Sequence, residues 1–235
     1  MTERVWDKFL TDADKENLAG REPKVMPPVV NPAILLIDLY RGVFGDKPEP
    51  LNEGIKTWSG HCGMAAWNSI PPTQRLIAAG RAAGIPVVHV TGLDPLESGI
   101  ERWGSGSRPV SEMTEEEMER RVRQFDIIDE VAPLPGEAVI KKTGQSGFWC
   151  TPLAAHLYSM GIDSLIMGGE STSGCLRASV IEAKAYHFNV VVVEECAFDR
   201  HEAAHAMNLF DMNQKYATVV SIDEALSLIP TSVMV

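Results

Sequence analysis

The sequence predicts an α/β fold of three αβα layers around a mostly parallel sheet of about six strands. Three observations carry this. Short runs rich in Ile and Val are apolar at consecutive positions, as strands buried on both faces of a parallel sheet read. Amphipathic stretches separate most of these runs, so strand and helix alternate. The chain has 235 residues, 45% of them apolar and 23% charged, enough for one domain with a sizeable core.

Residues 1–30 are polar and end in Lys24-Val-Met-Pro-Pro-Val-Val30, which reads as an N-terminal arm leading into a domain over 31–235. The arm's expected use is contact with another subunit. The first strand is 33–38, Ala-Ile-Leu-Leu-Ile-Asp. Further strands are expected at 85–90, 138–140, 164–167, 189–193 and 217–221, and helices at 67–83, 152–160, 175–186, 201–215 and 222–228. Such an order implies right-handed βαβ units. Two stretches break the alternation. Residues 41–66 are rich in Gly and Pro and carry Trp58, His61 and Cys62. Residues 92–136 hold Glu112, Glu115, Glu116, Glu117 and Glu119, followed by Arg120, Arg121 and Arg123, the pattern of a solvated helix. Long loops at the carboxyl ends of strands often cover a site.

Charge narrows the function. The 32 acidic and 21 basic residues give a net charge of −11, which argues against nucleic acid or an anionic membrane surface as partner. No apolar run approaches the roughly 20 residues that span a bilayer. The start, MTERVWDKFL, shows no secretory signal. Cys62, Cys150, Cys175 and Cys196 lack CxxC spacing and are expected to be free thiols in a reducing, cytoplasmic compartment.

In an open α/β sheet, ligands bind beyond the carboxyl ends of the strands where strand order reverses. Asp38 ends the first strand, Lys141 and Lys142 follow the third, Gly168-Gly-Glu-Ser-Thr-Ser-Gly-Cys175 the fourth, and Phe198-Asp-Arg200 the fifth. Cys175 starts a helix, where the partial positive charge of the helix N-terminus, and a nearby lysine, would favour a thiolate. The alternative is a small buried hydrophobe. Asp38 reads as a general base or as a cap. Spacing alone does not choose between Lys141 and Lys142.

Three segments together resemble the isochorismatase-like cysteine hydrolases: Ala33-Ile-Leu-Leu-Ile-Asp38, Val139-Ile-Lys-Lys142-Thr-Gly-Gln-Ser146-Gly-Phe148, and the turn running into Cys175-Leu-Arg-Ala-Ser179. The family's Lys-x-x-x-Ser-x-Phe pattern fits Lys142. The resemblance implies an Asp38–Lys142–Cys175 triad, with Cys175 attacking an amide or ureido carbonyl and ammonia leaving from a thioester route. It also implies a cis peptide at Glu170–Ser171 that aims the Ser171 N–H beside the Cys175 N–H as an oxyanion hole. Isochorismatase itself lacks the cysteine. Nicotinamidases bind a metal through an Asp-x-His pair, and His89-Val-Thr-Gly-Leu-Asp-Pro95 has none, so no metal or cofactor is expected.

The segments Phe198-Asp-Arg200 and Asn208–Tyr216 resemble the N-carbamoylsarcosine amidase and maleamate amidohydrolase branch. There an arginine at the place of Arg200 binds the substrate carboxylate. Phe44, Trp103 and Trp149 are expected at the pocket wall, and a homo-oligomer, dimer or tetramer, is expected. Glu170 departs from the small residue expected in the turn, and facing the site it would repel an anionic substrate.

Other readings compete. His201-Glu-Ala-Ala-His205 is a literal H-E-x-x-H, which on a helix could hold zinc with Glu202 as base and Glu224 as third ligand. Gly104-Ser-Gly-Ser-Arg108 lacks the third glycine and lysine of a phosphate loop. A non-catalytic module binding small acids fits the same scaffold.

Overall fold

The computed structural model describes residues 4–22, 25–94 and 110–229. Trp103 and the Gly104–Arg108 loop lie outside them. Six strands form one parallel sheet: β1 (Pro32–Ile37), β2 (Val87–Gly92), β3 (Ala138–Lys142), β4 (Ser164–Gly169), β5 (Asn189–Ala197) and β6 (Thr218–Val220). Their order is β3-β2-β1-β4-β5-β6. The chain winds from β1 to one edge, returns to β4, and winds to the other edge. The switch point therefore falls between β1 and β4, the pair that opens a crevice at its carboxyl end.

The helices are α1 (Asp12–Ala19), α2 (Arg41–Phe44), α3 (Leu51–Gly54), α4 (Met64–Asn68), α5 (Ile70–Ala82), α6 (Glu115–Arg123), α7 (Leu153–Ser159), α8 (Cys175–Ala185), α9 (Glu202–Lys215) and α10 (Ile222–Leu228). Alternation along each strand divides the core in two. Leu35, Ile37, Val90, Leu165, Met167 and Val192 pack against Leu157, Val180 and Leu209 of α7, α8 and α9. On the other face Ile34, Leu36, Val87, Ile166 and Val191 pack against Leu76 and Ile77 of α5 and Ile222 of α10. Each such side chain contributes about 1.5–3 kcal/mol by leaving water.

One expectation is corrected. Strand β3 is not buried on both faces: it is an edge strand, with Val139 and Lys141 exposed and Ile140 and Lys142 buried. That alternation, not any local motif, turns Lys142 inward and Lys141 out.

The described parts of the irregular stretches pack onto the domain, where Val43, Phe44, Cys62, Ile128 and Val131 join the core of the second face. In 41–66 the buried His61 ring accepts from the Gly63 N–H at 2.8 Å through Nδ1. The α carbons of Gly45 and Gly54 lie so close to that ring that an added Cβ would sit 2.7 and 2.3 Å from it. In 92–136, helix α6 begins with a Thr114/Glu117 capping box and buries no residue. Arg121 holds Asp94 with two bonds of 3.2 and 3.1 Å. The N-terminal arm docks on its own domain through Trp6, buried beside Phe210. No helix among the described residues is long and apolar enough to cross a membrane, and the four cysteines form no disulfide.

Candidate active site

Three strand ends deliver the polar groups. Asp38 follows β1 with φ +56° and no solvent exposure, its N–H bonded to Val90 O of β2 at 2.9 Å. Lys142 ends β3, 4% exposed. Its Nζ lies 2.7 Å from Asp38 Oδ2. The same ammonium donates to Cys175 Sγ at 3.4 Å and to Gly144 O at 3.1 Å. One buried cation thus joins the carboxylate of β1 to the thiol at the start of α8. Burial opposes its charge, but Asp38 and Cys175 outweigh that and hold its pKa above the usual lysine value.

The turn from β4 to α8 depends on close backbone approach. Gly169 has φ +121°, and a Cβ there would lie 1.9 Å from Ile37 O, so only glycine fits. Glu170 N–H then bonds to Ile37 O at 2.9 Å, and the Glu170–Ser171 peptide is cis. Thr172 N–H goes to Phe198 O, Ser173 N–H to Asp199 Oδ2, and the N–H groups of Gly174 and Leu176 to Ser171 O. The two N–H groups of the turn with no acceptor among the described residues are those of Ser171 and Cys175.

The expected resting thiolate is corrected. Burial and the Asp38 charge push the Cys175 thiol up to about 12, against the pull of Lys142. The Lys142 ammonium does not offset desolvation and the Asp38 charge, so the sulfur keeps its proton until an acceptor takes it.

Two positioning residues were missed by sequence reasoning, Asp199 and Ser179. Asp199 accepts from Ser173 N–H at 2.8 Å, Ser173 Oγ at 2.6 Å and Arg200 N–H at 2.8 Å, and so fixes the nucleophile turn. Ser179 Oγ accepts from Gly147 N–H at 2.9 Å and donates to Cys175 O at 2.8 Å, tying α8 to the segment after β3. Ser179 is one turn beyond Cys175, an i+4 signal that could have been read. Glu170 faces the site: one of its carboxylate oxygens lies within 4.8 Å of Cys175 Sγ and of an Asp38 oxygen. Such a trio could in principle hold a cation, but the Lys142 ammonium already stands against two of its members.

The other expected residues are placed variously. Arg200 is exposed at the end of β5, and its charge is felt at both Cys62 and Glu170. Phe44 is not an open wall: it is buried, edge-on to Trp67 and Phe198 at ring separations of 6.1 and 5.3 Å. Trp149 stands exposed beside a groove of about 430 Å³ lined by Gly144, Gln145, Ser146, Ala178, Ile181 and Glu182, which includes none of the three charged or sulfur groups.

The zinc pattern is not assembled. His201 is exposed ahead of α9, whereas His205 points inward, with Nδ1 2.8 Å from Thr172 Oγ1. Glu202 pairs with Lys8, and Glu224 caps α10 and meets Arg4.

Comparison with known proteins bears on this arrangement. A family model described as the isochorismatase domain matches residues 32–224. The chain is 45% identical over 96 residues to a maleamate amidohydrolase of Pseudomonas putida, covering 41% of this chain and 45% of that protein. It is 32% identical over 157 residues to an N-carbamoylsarcosine amidase of an Arthrobacter species, covering 67% of this chain and 60% of that protein. The matches thus span about half the length of these relatives. A solved N-carbamoylsarcosine amidase from Thermoplasma acidophilum superposes with a TM-score of 0.61 at 21% identity, covering 83% of this chain and 98% of that one. An isochorismatase-like hydrolase from Alkaliphilus metalliredigens gives 0.67 at 21% identity, covering 86% and 98%.

Proposed function

The chain belongs to the isochorismatase family, and on that premise we propose that it hydrolyses a C–N bond of a small amide or ureido compound with Cys175 as nucleophile, releasing ammonia. The observation that carries this reading is the Lys142 ammonium joining Asp38 and Cys175 at the switch point, 2.7 and 3.4 Å away, beside two unclaimed amide N–H groups.

Because the resting thiol is protonated, attack is coupled to proton transfer. As the Sγ–C bond forms, the S–H proton passes to the Asp38 carboxylate, and the carbonyl π pair moves onto oxygen. The N–H groups of Ser171 and Cys175 receive that oxyanion, each donor contributing about 3–4 kcal/mol to the transition state. Collapse restores the C=O and breaks C–N, and Asp38 returns the proton to the departing nitrogen. In the second half Asp38 takes a proton from water, the oxygen adds to the thioester, and the proton returns to sulfur as C–S breaks. Lys142 stays charged throughout and holds Asp38 and the sulfur in register.

The finer reading is a substrate carboxylate gripped by Arg200. The names of the relatives, maleamate amidohydrolase and N-carbamoylsarcosine amidase, support acidic amides and ureides as the class. The same reading carries a cytoplasmic homo-oligomer, dimer or tetramer.

The test is ammonia release from N-carbamoylsarcosine, maleamate, N-carbamoyl amino acids, biuret and nicotinamide, with and without chelator. Chelator-resistant release that falls at least about 10³-fold in Cys175→Ser is expected. A Cys175→Ser protein that keeps a substantial rate refutes the mechanism, and binding of these acids without turnover favours the non-catalytic module.

A further inference from the structure

Glu170 introduces a second carboxyl group where the mechanism uses only one. Its backbone is fixed at the β1–β4 seam by the bond to Ile37 O. Its carboxylate reaches within 4.8 Å of both Cys175 Sγ and Asp38, and Oε1 lies 3.9 Å from Cys62 Sγ. The carboxyl group therefore stands between the reacting sulfur and the side of the crevice that holds Cys62 and Arg200.

Every element around Glu170 presents a titratable or charged group to it. Asp38 comes from β1, Lys142 from β3, Cys175 from α8, Asp199 and Arg200 from the end of β5, and Cys62 from the 41–66 loop. Lys142 is engaged by Asp38 and the thiol. Arg200 is the remaining cation whose charge lowers the Glu170 carboxyl, and on the proposed function it is also the one a substrate carboxylate would seek. Two carboxylates sharing one guanidinium, with Asp38 and Asp199 close by, cannot both ionise cheaply.

We propose that Glu170 is a specificity-determining residue: its carboxyl group competes with a substrate carboxylate for Arg200, so an anionic amide enters together with a proton on Glu170 and a neutral amide needs none. This rests on the amidohydrolase reading with Cys175 as nucleophile and narrows its substrate class by charge. Burial, then Asp38 and Asp199, push the Glu170 carboxyl up to about 7, against Arg200 and Lys142, which puts the competition in the neutral range.

Iodoacetate and iodoacetamide test this without a known substrate, because they differ only in a carboxylate against a neutral primary amide. Alkylation at Cys175 is followed by peptide mass spectrometry from pH 6 to 9, with the exposed Cys150 of the same molecule as reference. The ratio of the two reagents cancels thiol ionisation. In the wild type the iodoacetate-to-iodoacetamide ratio at Cys175, relative to Cys150, should fall at least tenfold. Its limit is about 90-fold, the loss of protonated Glu170 across that range for a group titrating near 7. Glu170→Gln and Glu170→Ala should give a flat ratio. A flat wild-type profile, or a fall that survives both substitutions, overturns the proposal. Ammonia release from the amide panel that continues unabated with Cys175 fully alkylated instead sinks Cys175 as the nucleophile, whatever the ratio does.

Discussion

Replacing Lys142 by Met removes the ammonium and keeps most of the side-chain volume. Asp38 and Lys142 are 0% and 4% exposed, and their charged atoms are 2.7 Å apart. At an effective dielectric constant of about 20, that separation corresponds to about 6 kcal/mol of attraction. The variant does not lose all of it, because the stranded carboxyl can take a proton. Protonating an ordinary aspartate, pKa about 3.9, at pH 7 costs about 4 kcal/mol, which caps the loss. The expected destabilisation is therefore about 3–4 kcal/mol at pH 7, within the usual cost of breaking a buried pair. The gap should narrow toward pH 4, where that protonation becomes free. It should also narrow at the alkaline end. Lys142 has a raised folded-state pKa, so its contribution is complete below the unfolded lysine value near 10.4 and is lost as pH rises through the higher folded value. Urea unfolding of both proteins at pH 4.5, 7 and 11 measures this. A loss below about 1 kcal/mol at pH 7, or one that does not change with pH, would refute the reasoning.

Two further substitutions probe the turn that carries the nucleophile. Gly169→Ala drives a methyl to 1.9 Å from Ile37 O at a φ of +121°. It should cost more than about 3 kcal/mol or prevent folding, and a thermal midpoint within a few degrees of wild type would show that β1 and β4 can separate there. Asp199→Ala strands three donors, Ser173 N–H, Ser173 Oγ–H and Arg200 N–H. It should lower kcat about 10–100-fold through a mispositioned Cys175, with KM for a neutral amide changed much less; equal effects on both would assign Asp199 to substrate binding instead.

The layers were legible because continuous apolar runs such as Ile34–Ile37 and Val190–Val193 have few ways to be buried other than in a parallel sheet. The helix expected over 222–228 matches α10 to the residue, and the Ser221/Glu224 capping box that starts it is a sequence signal that was not used. Asp38 and Cys175 stood out because each follows a run that must be a strand, whereas only the family resemblance separated Lys142 from Lys141. What stayed hidden depends on direction and depth rather than on pattern. Nothing periodic in Gly168–Cys175 says that the Glu170 side chain turns toward the sulfur, or that Asp199 reaches back to Ser173. The protonated state of Cys175 stayed hidden because a helix start is visible locally, whereas the desolvation and the Asp38 charge that raise the thiol belong to the assembled core. Phe44 was placed at the pocket wall for a related reason: an aromatic in a Gly- and Pro-rich loop gives no local sign that it folds back into the domain core, where Phe44 packs on Trp67 and Phe198.

The groups that meet at the switch point are far apart along the chain. Asp38 and Lys142 are separated by 142 − 38 = 104 positions and Lys142 and Cys175 by 175 − 142 = 33, and an edge strand carries the middle member. No hairpin or single βαβ unit contains the set, so a partly folded chain cannot hold it. The crevice comes into existence only when β1, β3 and β4 are in register at once. A small molecule that occupies it therefore recognises the complete fold and none of its fragments, and its binding free energy adds in full to the cooperative stability of the sheet.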